Sequence, residues 1–341
     1  MTTLRFTADE LLRSHDYARP QIEAGHRIHG GFDASGRYIP PRTLVRGPAL
    51  AAWTEALRAR GGDLLAADSS LLTGVRYPSD AQQKLLIREG LGQTFWNSLT
   101  IIGMIEARGR ALADLTFPEF KNLVVQDVSE LAIGHLNQGL LRAHGLDEGG
   151  EPEAGLGGHD VMWFALRDLA FGKTDYPKPI VPENIARPDS DAALFPQIPI
   201  QYERLVHFLA NILMIEFRAE RGFSSTENLL RDPELFTDRR AEADHAAEIV
   251  NRIRIDEAVH VHSLRLFLGE LRQVDFKTVD GGKIPGREVV DTFWEGIVKW
   301  ATIEQPPLAA AQQKAVLLER IAAHPDAARI TRTFLALEER G

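Results

Sequence analysis

The sequence predicts an all-α fold, and three features lead to that prediction. Long segments with apolar residues at helical spacing dominate the chain from about residue 91 onward; they are 94–115, 119–144, 200–230 and 238–272. Strand-like alternation is sparse outside 30–41, where a hairpin or loop is expected around an Asp-Ala-Ser-Gly turn. Six prolines fall within 173–200, which predicts an irregular crossover there.

The first ninety residues predict short elements. Thr7 and Glu10 have the spacing of a capping box, so a short helix is expected to begin there, within 7–25. Pro48 has the position of a helix start for 48–58, and Tyr-Pro-Ser-Asp at 77–80 begins another helix within the mixed stretch 61–90. We expect residues 1–90 to form an extension packed on a helical bundle at 91–275.

The second half of the chain continues the helical pattern. Gly145 is predicted to cap the 119–144 helix, ahead of a Gly/Glu-rich loop and a short helix at 159–171. The bundle's long connection is therefore placed at 145–200. After a Gly/Asp turn region at 274–285, the C-terminal part, 276–341, is predicted to hold three helices, at 287–302, 307–323 and 326–338.

Composition excludes several classes of function. The 341 residues are 44% hydrophobic and 26% charged, as in ordinary globular proteins, and the net charge of −9 argues against a general nucleic-acid binder. The absence of cysteine excludes disulfides, thiolate metal sites and iron–sulfur clusters, so any metal must be held by His, Asp, Glu or water. The N-terminus lacks the apolar core of a signal peptide, and no segment approaches about 18 uninterrupted apolar residues. A cytoplasmic location without a membrane partner is expected.

The clearest chemical pattern lies in two related pairs of segments. Residues 102–108 read Ile-Gly-Met-Ile-Glu-Ala-Arg and residues 212–218 read Ile-Leu-Met-Ile-Glu-Phe-Arg, so five of seven positions are identical. Each copy places a glutamate, Glu106 or Glu216, among apolar neighbours, where a carboxylate is unfavourable unless it is paired or bound to metal. The next helical segment after each copy carries Glu and His, with Glu257 and His260 three residues apart on one face.

This order resembles the ferritin-like superfamily of carboxylate-bridged di-iron or di-manganese proteins. In that family two helices of a four-helix bundle each supply a Glu, two each supply Glu-x-x-His, and the bundle has one long crossover. The resemblance covers about residues 92–272. It implies two iron ions, with manganese as the alternative, held by carboxylates and imidazoles, with the other helices flanking the bundle.

The resemblance implies a ligand for most positions of the site. Glu106 and Glu216 match the single carboxylates, Glu130 and Glu257 the bridging ones, and His260 one imidazole. The chain departs from the pattern at Ile133, where the second imidazole is expected. Either His135 ligates through a π-bulge at Gly134, or one metal position is weakened or lost.

Other candidates have weaker support. Arg108 and Arg218 either fix the nearby carboxylates or form surface ion pairs, and Asp127 and Asp256 are expected to face solvent or to support the ligands. His159 is placed near a pocket mouth or at a helix start. Glu242 and His245 are expected on a solvated face, His207 lies opposite Glu216, and five histidines show no partner pattern: His15, His26, His29, His144 and His324. No hydrolase nucleophile elbow, P-loop or dinucleotide-binding fingerprint is present.

These features predict a non-haem di-iron, or manganese/iron, oxidoreductase that uses dioxygen to oxidise a small organic substrate. No flavin or iron–sulfur segment is apparent, so the electrons come from a separate donor or from the substrate. A metal-degenerate helical binding or assembly module is the alternative, supported by Ile133, and an iron-handling protein is a third. The sequence leaves a homodimer open.

Overall fold

A computed structural model describes residues 3–68, 71–72, 76–188 and 192–338. The α-helices are α1 Ala8–Leu11, α2 Arg46–Ala59, α3 Asp80–Arg88, α4 Gln93–Gly109, α5 Ala111–Asp114, α6 Leu141–Gly149, α7 His159–Phe171, α8 Ile200–Arg231, α9 Arg240–Leu271, α10 Gly286–Lys299, α11 Gln305–Ala322 and α12 Ala327–Glu338. The strands form antiparallel ribbons: β1 Gln21–Glu23 with β2 His26–Ile28, β3 Gly31–Phe32 with β4 Tyr38–Ile39, and β5 Asp275–Lys277 with β6 Lys283–Pro285. The prediction of a predominantly helical fold is confirmed.

The antiparallel pair α8 and α9 forms the centre of the fold. A short connection joins the two 32-residue helices, and ion pairs Arg231–Glu248 and Arg254–Glu220 cross the seam between them. Helix α7 packs against α9 and α4, while α6 packs against α4 and α5. These contacts bring one face of each of five helices, α4, α6, α7, α8 and α9, toward a common interior.

The predicted helix at 119–144 is wrong in its continuity. The chain instead makes 3-10 turns at Phe120–Asn122 and Ala132–His135 and a π turn at Leu136–Leu140, and only then enters α6. Gly139 has a φ of 109°, which breaks the helical path. Gly145, predicted as a cap, lies inside α6, where the absence of a side chain lets α6 approach the backbone of α5.

The N-terminal predictions are confirmed locally. The capping box of α1 forms, since the Glu10 N–H donates to Thr7 Oγ1 and the Thr7 N–H donates to the Glu10 carboxylate. The expected hairpin at 30–41 is the β3–β4 ribbon, and α2 and α3 occupy the next predicted helical stretches. Residues 1–2, at the start of the predicted extension, lie outside the described part.

The predicted crossover at 145–200 begins later than expected, because α6 extends to Gly149; beyond α6, its described part is irregular apart from α7 and a 3-10 turn at Pro152–Ala154. The described parts of 173–199 contain no helix or strand, as the proline pattern predicts, and residues 189–191 of the crossover lie outside the described part. After it, α10 continues through a π turn at Trp300–Glu304 into α11, and α12 packs on α3. Residues 339–341 are not described. No described helix combines the length and apolar composition of a membrane span.

A buried carboxylate near the end of α9 makes the stability of the fold depend on pH. The Ile133 N–H donates to Glu270 Oε2 at 3.0 Å, and Arg60 lies 3.7 Å from the other carboxylate oxygen. Burial raises the pKa of Glu270 from 4.5 to about 7. The folded protein therefore holds a proton that the unfolded chain releases, so this group lowers stability as pH rises between these two values.

We expect Glu270→Gln to remove this pH dependence. The variant should gain about 2–3 kcal/mol over wild type between about pH 5 and about pH 8, since one pKa unit corresponds to about 1.4 kcal/mol. Urea unfolding across that range measures the difference. The exposed Glu319 on α11 provides the control, because Glu319→Gln should track wild type at every pH. A constant difference between Glu270→Gln and wild type would contradict the prediction.

Candidate metal centre

Five helices direct glutamate and histidine side chains into one buried group, which we call the carboxylate–histidine cluster. Its members are Glu106 of α4, His144 and Glu148 of α6, His159 of α7, Glu216 of α8, and Glu257 and His260 of α9. Glu106 is half-buried, and every other member is at most 7% exposed. Carboxylates and imidazoles rarely occupy such positions unless they are paired or bind metal.

Two imidazoles face the two central carboxylates. His159 Nδ1 lies 3.1 Å from Glu257 Oε1 and 3.3 Å from Glu148 Oε1. His260 Nδ1 lies 3.1 Å from Glu257 Oε2 and 3.2 Å from the same Glu148 oxygen. Glu148 and Glu257 therefore form the middle of the cluster, with one ring on each side.

The third imidazole extends the cluster toward α8. His144 Nε2 lies 2.8 Å from Glu216 Oε1 and 3.7 Å from Glu148 Oε1, and its ring stacks on His260 at 3.8 Å. Two sets of four donor atoms lie within 4.8 Å of one another: His144, Glu148, Glu216 and His260, and also Glu148, His159, Glu257 and His260. The two sets share Glu148 and His260, so the donors are arranged around two adjoining positions.

Several of the central atoms have no hydrogen-bond partner. Glu148 Oε1, Glu257 Oε1 and His159 Nδ1 are buried and make no hydrogen bond of good geometry within the described residues. Leaving such an atom unsatisfied costs about 1–3 kcal/mol. Carboxylate oxygen and imidazole nitrogen are ligands that iron and manganese accept, so a bound cation would satisfy these atoms together. The donor set thus fits a metal.

Without a cation, the cluster balances its charge with protons. Burial and the charge of Glu148 raise the pKa of Glu106, and burial and the charge of Glu257 raise that of Glu216. Burial alone would raise the pKa of Glu148, but the Glu106 carboxyl and the His159 ring outweigh it and lower that pKa. The carboxyls thus fall into two pairs, Glu106 with Glu148 and Glu216 with Glu257.

A buried aspartate, Asp147, orients His260 through the ring nitrogen that points away from the centre of the cluster. His260 Nε2 lies 3.3 Å from Asp147 Oδ2, and because an ionised carboxylate only accepts, Nε2 carries the hydrogen. Arg42 and Arg46 each donate to Asp147 at 2.7 Å. Burial would raise the pKa of Asp147, but the two arginines hold it well below its usual range. His260 therefore keeps Nδ1 for the centre of the cluster.

A second aspartate supports His159 in the same way. Asp256 Oδ2 lies 3.2 Å from His159 Nε2 and 3.4 Å from His29 Nε2, and it accepts a hydrogen bond of 2.9 Å from the Tyr38 hydroxyl. The Arg252 guanidinium donates to the His29 carbonyl and lies over the Tyr38 ring. His29, His159 and Asp256 form another group that could hold a metal ion, since His29 Nδ1 and Nε2 and Asp256 Oδ1 are buried without a hydrogen-bond partner among the described residues.

The N-terminal extension contacts both supporting aspartates. Its residues 29–46 contribute His29 and Tyr38 to Asp256, and Arg42 and Arg46 to Asp147. The His29 N–H donates to the Gly157 carbonyl, which ties this segment to the loop before α7. Residues that precede the central helices in the sequence therefore help to position the histidines of the cluster.

Four of the six ligands predicted from the sequence come together in this cluster. They are Glu106, Glu216, Glu257 and His260. The other two are not brought there. The Glu130 side chain is 51% exposed and accepts from the Thr3 hydroxyl, and His135 Nε2 accepts from the Phe6 N–H while Nδ1 contacts the Leu131 carbonyl. The broken helical path at 120–140 leaves both outside the cluster.

Sequence reasoning missed His144 and Glu148, and it placed His159 only near a pocket mouth or at a helix start. A signal was present: Asp147-Glu148 repeats Asp256-Glu257, and His144 lies four residues before Glu148 on one helix face. Treating Gly145 as the end of a helix hid this spacing. Asp256 does contact a histidine of the cluster, His159, whereas Arg108 donates to the Pro182 carbonyl and Arg218 to the Gln305 side chain.

Comparison with protein-family models, curated proteins and solved structures finds no match for this chain. The chain is a helical protein with buried His, Glu and Asp groups that could bind a metal ion.

Proposed function

We propose that the chain is a ferritin-like oxidoreductase that binds two iron ions, or one manganese and one iron, and uses dioxygen to oxidise a small organic substrate. The observation that carries the proposal is the convergence of four glutamates and three histidines around two adjoining positions. Such a metal pair supplies changes of oxidation state and open coordination positions for dioxygen. Four ionised carboxylates match the charge of two divalent cations.

The order of the ligands along the chain supports the ferritin-like assignment. A Glu helix, α4, precedes a Glu/His helix, α6, and after the crossover a second Glu helix, α8, precedes a second Glu/His helix, α9. The chain departs from the family pattern in two ways. Helix α6 carries His-x-x-x-Glu instead of Glu-x-x-His, and the crossover helix α7 adds a third imidazole, His159.

The protein's own groups hold the ligands ready. Asp147 and Asp256 accept from Nε2 of His260 and His159, which fixes each tautomer and leaves each Nδ1 directed at Glu148 and Glu257. Burial strengthens these contacts and excludes water from the centre. The electrons would come from a separate donor or from the substrate.

The metal-degenerate alternative loses its main support. It rested on Ile133 in place of an imidazole. Ile133 lies in a 3-10 turn outside the cluster, and its N–H donates to the Glu270 carboxylate. His144 and His159 provide imidazoles within the cluster instead. Within the described part of the chain, no contact favours iron storage over oxidation.

Metal loading followed by oxygen measurement tests the proposal. The apoprotein is incubated anaerobically with ferrous iron, desalted and analysed for bound metal. We expect about two iron ions per chain for the wild type and less than one for Glu257→Ala, since Glu257 contacts both central imidazoles. Glu130→Ala is the matched control and should retain the wild-type content, because Glu130 lies at the surface.

The loaded protein is then mixed with oxygenated buffer while dissolved oxygen is recorded. Oxygen consumption that depends on bound iron and is lost in Glu257→Ala would support the oxidoreductase. Bound iron without oxygen consumption would reject the reaction but keep the metal centre. A wild type that binds no metal would reject both.

A further inference from the structure

A pocket lined by arginines lies on the side of α8 that faces away from the carboxylate–histidine cluster. Arg218 follows Glu216 by two residues, roughly 200° around the helix, so the two side chains point in opposing directions. The pocket has a volume of about 310 Å³ and lies between α8, the segment around Leu72 and the π turn that joins α10 to α11. It is therefore separate from the proposed metal centre.

The charges that line this pocket are all of one sign. Three arginines, Arg76, Arg218 and Arg221, contribute to its wall, and no described aspartate or glutamate does. This local excess of positive charge stands out because the whole chain carries a net charge of −9. Such a pocket attracts anions.

Two of the three arginines have no counter-ion among the described residues. Arg218 donates to the neutral amide oxygen of Gln305 at 3.0 Å, and Arg221 donates to the Leu72 carbonyl at 2.8 Å. Arg76 differs, since Asp80 lies 3.2 Å from it. Asp80 and Glu220 line the neighbouring groove, where Glu220 is held by Arg254. Neither acid forms an ion pair with Arg218 or Arg221.

Arg218 has lost part of its hydration without gaining an ion pair, which is energetically unfavourable for a charged group. The Arg218 side chain is half-buried, and no described carboxylate forms an ion pair with its guanidinium, which donates to the Gln305 amide oxygen. A guanidinium that is partly desolvated and bonded only to a neutral amide gains most from a charged acceptor. The remaining walls are largely apolar, from Leu71, Leu72, Ala309 and Ala310.

We propose that this pocket binds an organic phosphate monoester. The doubly charged phosphate would lie between Arg218 and Arg221, whose two positive charges it balances, and the organic part would rest against the apolar wall. A carboxylate would balance only one arginine, and inorganic phosphate would leave the apolar wall uncovered. The pocket should therefore bind an organic phosphate more tightly than either a carboxylate or inorganic phosphate.

Gly222 gives a way to fill the pocket without touching the arginines. It lines the pocket, and a Cβ added there would meet no atom within 4 Å. Gly222→Met should thus occupy the space of the ligand while the helix keeps its path. Since methionine also favours helix over glycine, the variant should fold.

Isothermal titration with phenyl phosphate, benzoate and inorganic phosphate tests the proposal. We expect saturable binding of phenyl phosphate to the wild type that weakens at least about tenfold in Arg218→Gln, as expected for loss of a charged hydrogen bond. Binding should be lost in Gly222→Met. Arg332→Gln, which removes an exposed arginine of α12, is the matched control and should bind as the wild type does.

The outcomes separate this proposal from that of the metal centre. Thermal unfolding first establishes that each variant is folded, and Glu257→Ala should bind phenyl phosphate unchanged. Three results would overturn the proposal: no saturable binding to the wild type, equal affinity for benzoate or inorganic phosphate, or binding that survives both Arg218→Gln and Gly222→Met.

Discussion

Asp147→Asn is expected to lower the free energy of unfolding by about 3–5 kcal/mol, because it leaves two buried arginines without their shared counter-ion. Arg42 and Arg46 both donate to this carboxylate at 2.7 Å, and Asp147 is 1% exposed. The same change removes the charged acceptor of the hydrogen bond from His260 Nε2, so the affinity of the proposed centre for iron should fall about 10–100-fold. Urea unfolding and equilibrium metal titration measure the two effects.

Asp114→Asn provides the control for this change. Asp114 forms an ion pair with Arg110 at 2.6 Å, but its side chain is 65% exposed. Its loss should change stability by less than about 1 kcal/mol and leave iron affinity unchanged. If Asp147→Asn is no more destabilising than Asp114→Asn, the buried aspartate does not hold this part of the fold together.

Gly145→Ala is expected to destabilise the protein by about 3 kcal/mol, although alanine favours helix over glycine by about 1 kcal/mol. A Cβ at this position would lie 2.4 Å from the Ala113 backbone nitrogen and 3.0 Å from the Leu112 carbonyl carbon. Backbone atoms cannot rotate away, so α5 and α6 must separate. Because Gly145 lies between His144 and Glu148, the iron content that we propose for the centre should also decrease.

Gly222→Ala is the matched control for a helical glycine. The added Cβ meets no atom within 4 Å, so only the greater helix propensity of alanine acts. The free energy of unfolding should rise by about 0.5–1 kcal/mol. Thermal and urea unfolding of the two variants, together with iron content, test the contrast. A Gly145→Ala protein as stable and as rich in iron as Gly222→Ala would show that the close approach of α5 and α6 is dispensable.

Local sequence signals predicted much of the helical structure. The apolar spacing of α8 and α9 and the capping box of α1 depend on neighbours within a turn or two, so they could be identified from the chain alone. The region 119–144 failed because its apolar spacing suits a helix, whereas the structure breaks there at Gly139 and lets the Ile133 N–H bond to the distant Glu270. A contact across 137 residues leaves no local signal.

The same distinction applies to the candidate site. The repeat around Glu106 and Glu216 and the spacing of Glu257 and His260 identified four members of the cluster, because a buried carboxylate in an apolar helix is unusual in any context. His159 gave no comparable signal, since its neighbours along the chain are those of an ordinary helix start. Only the packing of α7 on α9 places it beside Glu257.

By itself, the sequence determined that this protein is helical, that thiolate chemistry is absent, and that glutamates occur where apolar residues are expected. Those properties follow from residue type and spacing. The tertiary structure alone decided that α6 and α7 complete the cluster, that Asp147 and Asp256 support its histidines, and that residues 29–46 hold those aspartates. The Tyr38–Asp256 hydrogen bond joins residues 218 positions apart, and no local pattern encodes that such distant residues meet.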